Sequence, residues 1–84
     1  MKHATRLTLT AIEPFLLSIR QFAVLKERSL GVFYWKGQAF LHFHEDPAGL
    51  FADIRINEEF QRFPVNSEGE KKFLLTKIKQ VLDA

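Results

Sequence analysis

His42 and His44 stand two residues apart in the run Leu41-His42-Phe43-His44-Glu45-Asp46, and Asp53 and Arg55 repeat that spacing further along. In an extended chain, side chains at i and i+2 point the same way, so each pair shares one side of a strand. A short loop between two neighbouring strands would set His44 beside Asp53 or Phe51, depending on register. Three chemistries suit such a group. The first is structural: a His–Asp pair and a nearby Arg satisfy one another on a partly covered sheet, as buried polar groups nearly always do. The second is a metal site, in which His42, His44 and Asp53 supply three ligands to zinc or a similar divalent transition metal. The third is catalytic, with His44 as a base oriented by Asp53. A hydrolase would also need a nucleophile. Ser18, Ser29 and Ser67 fall on helices or their ends, and no Gly-rich elbow is present, so no catalytic residue and no organic cofactor is assigned.

The strands that must carry these residues are legible from composition. Leu30 to Trp35 is rich in β-branched and aromatic side chains. Lys36-Gly37 is a two-residue turn candidate, and Gln38 to His44 reads as the return strand. Glu45-Asp46-Pro47-Ala48-Gly49 has the residues of a loop. Leu50 to Asn57 is a third strand. After a turn at Glu58-Glu59, Phe60 to Val65 suits a short fourth, which Pro64 confines to an edge. Ahead of this meander, Ala11 to Arg28 reads as a helix, with Thr10 and Glu13 at capping-box spacing and Pro14 near its start. Arg6 to Thr10 alternates weakly, as an extended lead-in would, and Met1 to Thr5 reads as loose. Ser67 and Glu70 form a second capping box. They open a helix whose Leu74, Leu75, Ile78, Val81 and Leu82 make one apolar face. The expected fold is therefore α+β: an antiparallel three- or four-stranded meander flanked by an N-terminal and a C-terminal helix, in two layers.

Alternation then sorts the faces. Val32, Tyr34, Ala39, Leu41, Phe43, Leu50, Ala52, Ile54 and Ile56 share an aliphatic side, which both helices are expected to cover. A simple two-residue turn sets Phe33 opposite Phe40. The second side then holds Phe33, Trp35, Gln38, Phe40, His42, His44, Phe51, Asp53 and Arg55. Four rings left wet would forfeit several kcal/mol, at roughly 1.5–3 kcal/mol per buried aromatic side chain. That predicts a cover, most simply a second copy of the chain, since two-fold dimers are the commonest oligomers. Phe33, Trp35, Phe40, Phe51 and Arg55 would anchor the contact. His42, His44, Asp53 and Arg55 would set its register, with association depending on pH between about 5 and 8.

Eighty-four residues allow one domain, spanning 1–84. Hydrophobic residues at 46% and charged residues at 26% lie near the globular norm, which excludes disorder over most of the chain. No stretch approaches a membrane span. The lack of cysteine removes disulfides, thiolate metal sites and thiol nucleophiles, and a small cysteine-free chain with no signal peptide reads as cytoplasmic. The net charge of +2 is spread along the chain. Its densest group, Lys71, Lys72, Lys77 and Lys79, is mixed with Glu68 and Glu70, as on a solvated helix face.

Leu41 to Asp46, the run Gly49-Leu50-Phe51-Ala52-Asp53-Ile54-Arg55, and Phe63-Pro64-Val65 before a Leu-rich last helix resemble a group of short bacterial proteins of unknown function. The resemblance covers a little more than half the chain. It implies a bacterial origin and a compact α+β domain, and carries no activity. The expectation is a non-enzymatic homodimerising or protein-interaction module acting through the aromatic and histidine-bearing face. The alternatives are a metal-binding or hydrolytic enzyme centred on His42, His44 and Asp53, and a nucleic-acid binder using the lysines of the last helix.

Overall fold

Pro14 divides the first expected helix. The computed structural model describes residues 1–84 and places two short helices there, α1 (Arg6–Ala11) and α2 (Glu13–Arg20). Proline has no N–H to continue the ladder. The chain therefore caps α1 at Ile12, whose N–H reaches Leu9, and restarts when the Ile12 carbonyl accepts from Leu16. The cap of α1 is Thr5, whose Oγ1 accepts from the Thr8 N–H at 3.2 Å. The weak alternation before Ala11 thus belongs to a helix that buries Leu9 and exposes Leu7. Helix α2 stops at Arg20, short of Arg28, and Lys26–Ser29 forms a strand, β2. Arg20 ties the two together by pairing with Glu13 at the head of α2 and with Glu27 on β2.

From β2 the chain runs as the expected meander through β3 (Val32–Trp35), β4 (Gln38–Asp46), β5 (Gly49–Ile56) and β6 (Glu59–Pro64), with every neighbouring pair antiparallel. Lys36 and Gly37 both have positive φ (53° and 80°), as a type I′ hairpin turn requires. Asn57 and Glu58 do the same between β5 and β6, one residue earlier than expected. A sixth strand, β1 (Lys2–His3), lies within the segment read as loose and pairs with the far end of β4, His3 opposite His44. The last helix, α3 (Glu68–Asp83), opens with the reciprocal Ser67–Glu70 capping box and buries Leu74 and Ile78. No helix is long and apolar enough to cross a membrane.

All three helices lie on the aliphatic side, so the architecture is a two-layer α+β sandwich. Leu9, Phe15, Leu16, Ile19, Leu74 and Ile78 close over Leu41, Phe43, Ala52 and Ile54. One register shift changes the division of faces. Trp35 opposes Gln38 and Tyr34 opposes Ala39, but Phe33 opposes Leu41 and not Phe40. This bulge in β4 inserts a residue and brings Phe33 and Phe40 both into the helix-side core, each 1% exposed. The two rings are therefore not available as interface anchors, contrary to the sequence expectation. Trp35 packs edge-on to Phe40 at 5.6 Å. It lines, with Ile56 and Val81, a cavity of about 520 Å³ near the end of α3. Of the five expected anchors, Phe51 and Arg55 remain on the open face.

Candidate metal centre on the open sheet face

The β4–β5 register sets His42 opposite Asp53 and His44 opposite Phe51. Strand β6 adds Arg62 opposite Asp53 and Phe60 opposite Arg55, and β1 adds His3 beside His44. All of these point away from the helices, as alternation requires. The structure thus unites His42, His44 and Asp53 as the sequence suggests, and joins to them two residues that sequence reasoning missed. Arg62 lies on the exposed edge strand, and His3 on a strand too short to show a period. The only signal for His3 is that the chain has three histidines, of which His42 and His44 account for two.

Asp53 is the hinge of the cluster. It is 5% exposed and takes a two-pronged bond from Arg62, with Nε donating to Oδ1 and Nη2 to Oδ2, each at 2.8 Å. Such fork pairs are among the stronger hydrogen bonds in proteins. Burial pushes the Asp53 carboxyl up. The hydrogen bonds and charge of Arg62, helped by His44 and His42, outweigh that and hold it below the usual carboxylate range. Burial is also the main reason that His42 gives up its proton more readily than a free imidazole, although Asp53 opposes the change.

The two strand histidines are not satisfied by this arrangement. His44 Nδ1 comes within 3.0 Å of Asp53 Oδ2 and His42 Nδ1 within 4.0 Å. Yet neither approach has hydrogen-bond geometry, and both Nδ1 atoms are buried without a partner. The His44 side chain is only 12% exposed, so water does not readily make up the loss. His3 completes the group. Its ring centroid lies 4.5 Å from that of His44 and 6.0 Å from that of His42. One ligand nitrogen from each of the three imidazoles falls within 4.8 Å of the others. Zinc held at about 2.0 Å by three nitrogens would bring them to roughly 3.3 Å apart. His3, exposed on a two-residue strand, is the member with freedom to close that distance. Phe60 packs on His42 at 4.6 Å, and the Arg55 guanidinium stacks over Phe60 at 4.5 Å while its Nε donates to the Ala39 carbonyl.

Elsewhere the charged groups are paired for structure. The hydrogen bond from Arg20, chief among several effects, lowers the Glu27 carboxyl, and the Gly31 N–H adds to it. On α3, Lys71 pairs with Glu68 and Lys79 with Asp83, so the lysine group behaves as the expected solvated helix face, and the charge on which the nucleic-acid alternative draws is partly neutralised. A pH profile follows. Groups whose folded pKa is depressed bind more protons when unfolded, so stability is full above the unfolded value and is lost as pH falls through the folded one. In chelating buffer, the thermal midpoint should hold at pH 7–8 and begin to fall below about 6.5, where His42 titrates in the unfolded chain. It should drop steeply below about 4, where Asp53 and Glu27 follow. A midpoint that rises on acidification would contradict these assignments.

A comparison of this chain with protein-family models, with curated proteins and with solved structures finds no match in any of the three.

Proposed function

We propose that this chain is a metal-binding domain that presents a divalent transition ion, bound by His3, His42 and His44, on the open face of its sheet. One observation carries the reading: one ligand nitrogen from each of three imidazoles falls within 4.8 Å of the others, on a face where the Nδ1 atoms of His42 and His44 are buried without hydrogen-bond partners. Buried polar atoms in folded proteins are nearly always paired, so two orphans side by side call for a ligand. Imidazole is the commonest ligand for zinc, and suits copper, nickel and iron as well. His42 already favours the neutral form that a metal needs. Three protein ligands, as opposed to four, leave a coordination position for water or another ligand. No helix lies over this side of the sheet. Zinc should therefore raise the thermal midpoint of the chain and a chelator should reverse the gain. An unchanged midpoint at saturating zinc would contradict the reading.

A second reading keeps the same face as a contact surface for another copy. Phe60, 40% exposed beside the histidines, favours it, although the loss of Phe33 and Phe40 to the core removes much of its original support. Light scattering separates the two readings, since pairing predicts twice the 9.8 kDa of one chain without added metal.

A further inference from the structure

Resting on the three-histidine reading, the geometry points to Arg62 as the residue that decides which metal the site takes, by keeping the Asp53 carboxylate out of the coordination sphere. Asp53 is the acidic group closest to the two strand imidazoles, 3.0 Å from His44 Nδ1 and 4.0 Å from His42 Nδ1. A carboxylate so placed, with no other claim on it, would complete a two-histidine, one-carboxylate set. Such a set suits Fe(II), and carboxylate oxygen draws harder ions such as Mn(II). Arg62 makes the competing claim. Its fork engages both carboxylate oxygens at 2.8 Å, one nitrogen to each. The guanidinium cancels the negative charge that a hard cation seeks, and its own charge already bears on His42. Asp53 is buried on β5, whereas Arg62 sits half exposed on the edge strand. The donor set is thus governed from β6. With Arg62 in place the ion meets three neutral nitrogens, a set that suits zinc, nickel and copper and offers little to manganese.

Titration of the full chain with Co(II) and with Mn(II) tests this. The native chain should bind Co(II) and bind Mn(II) poorly. Arg62→Gln should tighten Mn(II) binding by about tenfold or more and shift the Co(II) visible absorption, as a nitrogen-only set gains an oxygen. The gain should vanish in Arg62→Gln/Asp53→Asn, which has no carboxylate to offer. Asp53→Asn alone preserves shape and should leave the Co(II) visible band where it is in the native chain, because a carboxylate outside the coordination sphere takes no ligand with it, even where the altered outer shell weakens binding by roughly 10–100-fold. Circular dichroism checks that Arg62→Gln is folded, and the Asp53→Asn result decides the matter if it is not. Failure of the native chain to bind Co(II) would sink the three-histidine site itself. Native binding of Co(II) with Mn(II) affinity unchanged in folded Arg62→Gln would overturn the role of Arg62 alone. So would a shifted Co(II) band in Asp53→Asn, which would show that the carboxylate is a ligand in the native chain.

Discussion

Phe33→Ala should destabilise the chain by about 3–5 kcal/mol, the range for emptying a buried aromatic site. Phe33 is 1% exposed and packs in the core cluster that also holds Leu41, Leu16 and Ile78. A domain of this size has a total stability of roughly 4–13 kcal/mol, at about 0.05–0.15 kcal/mol per residue. The variant would therefore be marginal, and its urea midpoint should fall by a large fraction. The informative comparison is Phe51→Ala. Both rings belong to the second face if the β3–β4 hairpin is regular, and would then lose similar amounts. The bulge places Phe33 under the helices and leaves Phe51 half-buried on the open side. The loss for Phe51→Ala should accordingly be the smaller by about 2 kcal/mol or more. Equal losses in urea unfolding would mean that the register shift is absent.

Zinc should stabilise the chain by about 2.7 kcal/mol at a free concentration one hundred times its dissociation constant, because it binds the folded site and not the dispersed histidines of the unfolded chain. For a domain of 60–100 residues each kcal/mol moves the midpoint by about 4–8 °C, so the expected rise is roughly 10–20 °C. His42→Ala and His44→Ala should each abolish the rise, since either leaves at most one strand imidazole with His3. His3→Ala should reduce it and spare the metal-free stability, because His3 is exposed and outside the core. A core role for the histidines predicts the reverse: His42→Ala would lower the metal-free midpoint and zinc would do nothing to either protein.

Much of this arrangement is legible in the sequence. Period-2 alternation along Leu41–His44 and Leu50–Ile56 separates Leu41, Phe43, Ala52 and Ile54 from His42, His44, Asp53 and Arg55, and the structure keeps that separation. The Ser67–Glu70 capping box and the Leu74–Ile78 stripe announced α3, because helix caps and faces are written in residues three and four apart. What escaped was non-local or lacked a residue signature. The β4 bulge falls among Ala39, Phe40 and Leu41, none of which marks an irregularity as glycine would. The apolar stripe before Arg20 ran on into Phe22 and Val24, which disguised the end of α2. Strand β2 is short and charged, and its place depends on Arg20 meeting Glu27 across the turn. His3 joins His44 only because Ala4 donates to the Phe43 carbonyl and Thr5 to Glu45, contacts between chain segments forty residues apart that no local period reveals.

The same non-local pairing gives the account its sharpest test. Crystals of the chain grown with zinc, measured on both sides of the zinc absorption edge, should show an anomalous peak bonded at about 2.0–2.1 Å to one nitrogen each of His3, His42 and His44. Asp53 should still be held by Arg62. A peak located only elsewhere on the surface, or no peak from protein saturated with zinc, would contradict it.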